Sequence, residues 1–143
     1  MFSISFDRGS AHGEEFSLGT FVLGSKTEGF HASFDYWQPD DYEKQWREAI
    51  GLIVNGADRA ALITEMPTPS EANFIRWWPM WRFGDCVKLN EQILFMKQLE
   101  PPFDFENPYV HVDNYQEYDD DGEHISVWDI PLQDFIDFLQ KTS

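Results

Sequence analysis

Three groups of residues in this chain are of types that could do chemistry, and the spacing of each limits what it could do. His111-Val112-Asp113 puts an imidazole two residues from a carboxylate. On a strand both side chains would share a face, and the pair could orient a base for proton transfer. No Ser, Cys or second His stands at a spacing that suggests a nucleophile, and there is no Gly-rich phosphate loop. A surface His beside a surface Asp is the plainer reading. Asp119-Asp120-Asp121-Gly122 invites comparison with a calcium loop. With Gly122 as the sixth residue, the loop starts at Glu117 and puts Trp128 where a bidentate Glu is required. No metal or cofactor site is expected. The third group is Trp77, Trp78 and Trp81. Such a cluster could stack bases, but a stacking site also needs a positive groove, and this chain has few positive charges to build one. These rings read as core or as protein interface.

Charge points the same way. Ten Lys and Arg stand against 26 Asp and Glu, a formal net charge of −16. Nucleic acid and anionic membrane would be repelled, whereas a basic surface would be attracted and its encounter hastened. The acids are not spread evenly. From Glu100 to Gln140 there are twelve and no Lys or Arg, and six lie between Asp113 and Glu123. Crowding like charges costs folding free energy, so a patch this dense suggests a basic partner. The expected binding residues are Asp113, Glu117, Asp119, Asp120, Asp121 and Glu123, with Tyr115 and Tyr118 as aromatic anchors among them. As loop acids they are expected to contribute little packing. A second face to consider carries Phe74, Arg76, Trp78 and Arg82.

The elements that must position these residues read as one α+β domain over residues 1–143. A chain of this length, 42% hydrophobic and 17% aromatic, can bury a core. Residues 1–15, polar and Gly-containing, are expected to form a loose lead-in. Phe16–Leu23 and Phe30–Trp37 read as strands flanking a turn at Gly24–Gly29. Pro39-Asp40-Asp41 opens a helix whose Tyr42, Trp46, Ala49, Ile50 and Ile53 recur at helical spacing, and Asn55-Gly56 ends it. Ala60–Met66 is a short apolar strand closed by Pro67-Thr68-Pro69. Phe74–Phe83 and Cys86–Met96 form a hairpin about Gly84-Asp85, with Pro79 demanding an edge or a bulge. Val110–Val112 and Ile125–Trp128 are expected as brief strands. A final helix, capped by Asp129 with Pro131 in its first turn, presents Leu132, Phe135, Ile136 and Leu139 on one stripe. The single Cys86 cannot make an internal disulfide, which fits a reducing compartment. Met1–Phe6 lacks the basic start of a signal peptide, and the longest apolar run, Ala49–Val54, is too short to span a bilayer. A cytoplasmic location is expected.

Several of these residues resemble a known family. Asp35-Tyr36-Trp37, Asp41-Tyr42 and Trp46 are similar to its N-terminal signature, and Asn73-Phe74-Ile75 with Trp78 and Val87–Phe95 to its central hairpin. Asp119-Asp120-Asp121-Gly122, Ile125-Ser126, Trp128 and the Phe-rich last helix are similar to its C-terminal end. The family is the immunity proteins of contact-dependent growth inhibition, of the kind paired with a toxin resembling ribosomal-RNA-cleaving colicins. The resemblance spans roughly residues 34–141. It implies a cytoplasmic α+β protein with a Whirly-like antiparallel sheet and two helices. It also implies one-to-one binding of a basic nuclease toxin and no enzymatic activity. Two alternatives come from the residues alone: an acidic mimic of nucleic acid that binds many basic proteins, and a small hydrolase using His111 and Asp113.

Overall fold

The computed structural model describes residues 1–7, 16–68, 73–97 and 99–141. In chain order the elements are β1 (Phe2–Phe6), β2 (Phe16–Leu23), β3 (Lys26–Ser33), α1 (Pro39–Val54), β4 (Arg59–Glu65), β5 (Phe74–Phe83), β6 (Cys86–Leu89), β7 (Gln92–Phe95), a 3₁₀ turn (Pro108–His111), β8 (Trp128–Pro131) and α2 (Leu132–Lys141). Strands β1-β2-β3 form one antiparallel sheet. The second, also antiparallel, runs β4-β5-β6-β8, with β7 on β5 beyond the end of β6. The architecture is the α+β class expected from the sequence, with two helices over antiparallel sheets. Its apolar core draws on both sheets and both helices. Phe21 of β2 meets Trp78 of β5 at 4.5 Å between ring centroids, and Phe30 of β3 meets Trp46 of α1 at 5.8 Å.

Helix α1 forms where its local signals place it. Pro39 takes the first turn, Asp41 accepts the Gln38 amide at 2.9 Å, and Asn55 caps the C-terminus by donating to Gly51 O. Its buried face does more than pack. β4 is the outer strand of its sheet, and α1 satisfies that edge with side chains. Gln45 donates to Ala61 O at 2.7 Å and accepts from Ile63 N at 2.9 Å. Trp46 Nε1 donates to Ile63 O at 2.7 Å, and the Tyr42 hydroxyl accepts from Met66 N at 2.9 Å.

Several sequence expectations are corrected. Residues 2–6, expected within a loose lead-in, form β1, paired with β2 from Phe2↔Leu23 to Phe6↔Gly19. Phe2 and Ile4 are buried, and Phe2 packs on Phe135 of α2 at 4.3 Å. The rest of that lead-in, residues 8–15, lies outside the described residues, as does Pro69. The second expected strand starts earlier, at Lys26, and ends at Ser33, because Gly24-Ser25 alone suffices to turn the chain. Ring packing also sets the residue at position 19: a Cβ there would come within 2.0 Å of the Phe30 ring.

The hairpin about Gly84-Asp85 is present. Gly84 has φ +63, while among the described residues no non-glycine has positive φ, as a II′ turn requires. Its second strand is split at Asn90-Glu91 into β6 and β7. This explains Pro79, which lies in an interior strand rather than at an edge. It pairs with Ala61 of β4, and on the other side β6 reaches only Met80 and β7 only Trp77. The residue lacking an amide hydrogen falls where the neighbouring strand is broken. The expected strand at Val110–Val112 is a 3₁₀ turn, and that at Ile125–Trp128 instead begins at Trp128. Asp129 does not cap α2 but sits in β8 beside Lys88. Pro131 ends that strand, and Leu132 opens the helix.

Candidate protein-binding site

The site is built outward from β4 and β5. Arg59, the first residue of β4, donates Nη1 to Val112 O at 2.8 Å and Nη2 to Asn114 Oδ1 at 3.0 Å. Trp81 of β5 is buried, and its indole N–H needs an acceptor there; it finds Asp113 O at 2.8 Å. The Tyr115 ring meets those of Trp81 and Phe83 edge to face, each at 5.4 Å, and the Lys88 ammonium lies 5.7 Å from its centroid. Lys88 in turn pairs with Asp129, a bond that raises the lysine pKa. Residues 112–115 are thus fixed to the sheet before the dense acidic run begins.

Beyond that anchor the chain folds back on itself. Tyr118 and His124 form an antiparallel bridge, with their rings edge to face at 5.6 Å. Ile125 N donates to Glu117 O, Asp119 N to Glu123 O and Gly122 N to Asp119 O. Gly122, at φ +81, makes the reversal. The side chain of Asp119 is part of this frame, because its Oδ1 accepts the amides of both Asp121 and Glu123 at 2.9 Å. Asp119 is exposed and adds little packing, as expected of a loop acid, but it contributes two hydrogen bonds that the sequence reading did not foresee. Asp120, Asp121 and Glu123 are exposed, and among the described residues their carboxylates have no ion pair or hydrogen bond.

The eight residues singled out from sequence thus separate into roles. Asp113 is exposed and serves the anchor through its carbonyl. Tyr115 is half-buried against the sheet, whereas Tyr118 is 57% exposed and available as an anchor. Glu117 is exposed and pairs through its backbone. Asp119 frames the hairpin, leaving Asp120, Asp121 and Glu123 at its tip. Sequence reading missed Arg59, whose guanidinium holds the segment; nothing local marks it, since its acceptors lie more than fifty residues on. Trp81 could have been found, because a buried indole usually finds an acceptor, although that of Trp78 in the same strand has none among the described residues.

The other expectations fare differently. His111 lies in the 3₁₀ turn with its ring stacked on Phe103. Its Nε2 is buried without a hydrogen bond, and no hydrogen bond joins it to Asp113 among the described residues. Among the described residues no group of three or more His, Cys, Asp or Glu could hold a metal ion. The face with Phe74, Arg76, Trp78 and Arg82 is divided. Trp78 is buried against Phe21 and Trp128, and Arg82 donates to Ile53 O and Val54 O at the end of α1. Arg76 pairs with Glu65 and lies over the Phe74 ring. Burial and then the Asp129 charge raise the Cys86 thiol pKa, which lowers its thiolate fraction at neutral pH. No described helix is long and apolar enough to cross a membrane.

Residues 32–138 match the family model described as the CdiI N-terminal domain. Among curated proteins the chain is 28% identical over 144 residues to "Immunity protein CdiI" of Enterobacter cloacae subsp. cloacae, covering 99% of this chain and 98% of that one. Among solved structures it aligns with a chain of the "CdiA-CT/CdiI toxin and immunity complex from Enterobacter cloacae". That alignment has a TM-score of 0.87 and 26% identity, and covers 99% of this chain and 97% of that one.

Proposed function

The chain belongs to the CdiI N-terminal domain family, and on that premise we propose that it is an immunity protein acting in the cytoplasm. It binds a cognate toxin domain one to one, through complementary charge and aromatic anchors, without catalysis, metal or cofactor. The toxin is a basic nuclease, a ribosomal RNase by the family resemblance in the sequence. The observation that carries the reading is the acidic hairpin. Asp120, Asp121 and Glu123 stand at its tip without a partner among the described residues, on a base tied to the sheet by Arg59 and Trp81. Because the hairpin is ordered before binding, little conformational entropy is lost when it docks. Its charge hastens encounter with a surface built to grip RNA phosphates. The similar solved structure is described as a toxin and immunity complex, which supports the same role here.

The test is co-expression with the toxin domain encoded directly upstream, with affinity measured on the purified pair. Growth protection and a one-to-one complex of nanomolar or tighter affinity are expected. A chain that neither protects nor binds would sink the reading. Comparable affinity for several unrelated RNA-binding proteins would favour a general mimic of nucleic acid instead.

A further inference from the structure

A second surface bears the marks of a recognition site. Between α1 and the segment that crosses β4 lies a groove of about 430 Å³, within the roughly 300–1,000 Å³ typical of binding pockets. Aromatic rings form one side. Phe105 lies 5.9 Å from Trp37 and 6.4 Å from Tyr36, centroid to centroid, and Tyr109 adds a fourth ring. Tyr36 is 44% exposed and Phe105 46%, as is Leu52 (46%) on the helix side. Three large apolar side chains left open to water around one groove are not explained by folding. The lining also carries three carboxylates, Asp41 and Glu48 from α1 and Glu106 beside Phe105, against one cation, Lys44. Asp41 spends one oxygen on the Gln38 amide, while Glu48 and Glu106 are exposed and make no side-chain hydrogen bond or ion pair among the described residues.

Partly exposed rings beside carboxylates are the complement of a guanidinium, which stacks flat on aromatic rings and takes carboxylates through its fork of N–H donors. We propose that this groove receives an arginine side chain of the toxin, as a second contact separate from the acidic hairpin; the inference rests on the immunity reading above. A second copy of this chain is a poor occupant, because each copy carries a net charge of −16. The two contacts differ in kind. The hairpin is exposed and steers encounter, whereas an arginine seated among rings is desolvated and slows dissociation.

Two measurements test this. The free protein is titrated with Nα-acetyl-arginine-N-methylamide, and separately with the citrulline counterpart, while the Trp37 indole N–H and the Phe105 and Glu106 amides are followed by NMR. Saturable shifts at those signals with the arginine probe, and none with citrulline, are expected. Toxin dissociation is then measured for the F105A/E106Q variant, with E48Q/E106Q as a charge-only variant should the first fail to fold. At least tenfold faster dissociation is expected, with the association rate nearly unchanged. Toxin binding within twofold of wild type overturns the proposal, whatever the probe does. If the wild-type chain binds no toxin at all, the immunity reading fails first. An arginine-selective shift then still establishes the groove as a guanidinium site, and its absence removes that too.

Discussion

One carboxylate oxygen of Asp119 accepts the backbone amide of Glu123 at 2.9 Å, closing the acidic hairpin on itself. The same oxygen holds the amide of Asp121. Of three consecutive aspartates, the first is therefore part of the frame and the next two are the charge it presents. A sequence of like residues has been divided by geometry into support and display.

Substitutions should separate these two roles. The D120N/D121N variant should keep the hairpin and slow toxin association several-fold at low salt. That difference should shrink toward 1 M salt, where the screening length falls to about 3 Å. D119A removes the acceptor of two amides, so the 119–124 amides should lose protection from hydrogen exchange. D119N, whose amide oxygen can still accept, should restore it. Because the hairpin is exposed, all three should leave global stability within about 0.5 kcal/mol of wild type. Equal association for wild type and D120N/D121N at both salts would reduce the acidic tip to a solvated surface.

Tyr42 joins α1 to the strands on either side of it. Its buried hydroxyl donates to Ser33 O at 2.6 Å and accepts from Met66 N at 2.9 Å. Burial raises its pKa, so the phenol stays neutral and keeps its donor through ordinary alkaline pH. Tyr42→Phe leaves both backbone groups buried without that partner and should cost about 1–3 kcal/mol. Urea unfolding of the two proteins gives the number; a midpoint unchanged would show that another group replaces the hydroxyl.

The N-terminal strand is part of the core rather than an appendage. Phe2 is buried among Phe21, Phe135 and Phe138. Phe2→Ala should destabilise by about 3–5 kcal/mol, the range for losing a buried aromatic side chain. A loss under 1 kcal/mol by denaturant melt would mean that β1 adds little to the fold.

Cys86 offers a pH-dependent readout of the β6–β8 edge. Burial first, then the Asp129 charge, raises its thiol pKa, while Lys88 opposes this. Only the thiolate is alkylated, so at any given pH below the pKa the reactive fraction is smaller than in an ordinary cysteine. The rate–pH profile with iodoacetamide should therefore have its midpoint above the usual value of about 8.5. D129N removes the carboxylate and leaves the opposing ammonium, so the midpoint should move down. A profile unaffected by D129N would mean that burial alone sets the thiol.

Where the determinants are local, the sequence was sufficient. Pro39 and Asn55 bound α1 as expected because capping and backbone restriction act within a few residues, and the stripe Tyr42, Trp46, Ala49, Ile50 and Ile53 lies inside. The first strand of the central hairpin and its glycine turn were legible for the same reason. So was the acidic run, since carboxylates without a single cation between Glu100 and Gln140 mostly face water; Asp134, half-buried beside the Met1 ammonium, is the exception. The candidate segment could be located from charge alone.

Tertiary structure decided what depends on distant partners. β1 is only five residues long and is made by pairing with β2. β8 is only four and forms because β6 offers it an edge. β8 is too short to announce itself, whereas the alternation Phe2-Ser3-Ile4-Ser5-Phe6 of β1 was a local signal that the sequence reading passed over. Pro79 was read correctly as an obstacle, but the break that accommodates it lies in the neighbouring strand. Gln45 looked like one more polar residue on a helix; it is buried because the outer edge of β4 needs a donor and an acceptor at that place. The hairpin was divided in the same way. Composition made all three aspartates equivalent, and only the turn at Gly122 brought two backbone amides onto the oxygen of Asp119 and left its neighbours to the solvent.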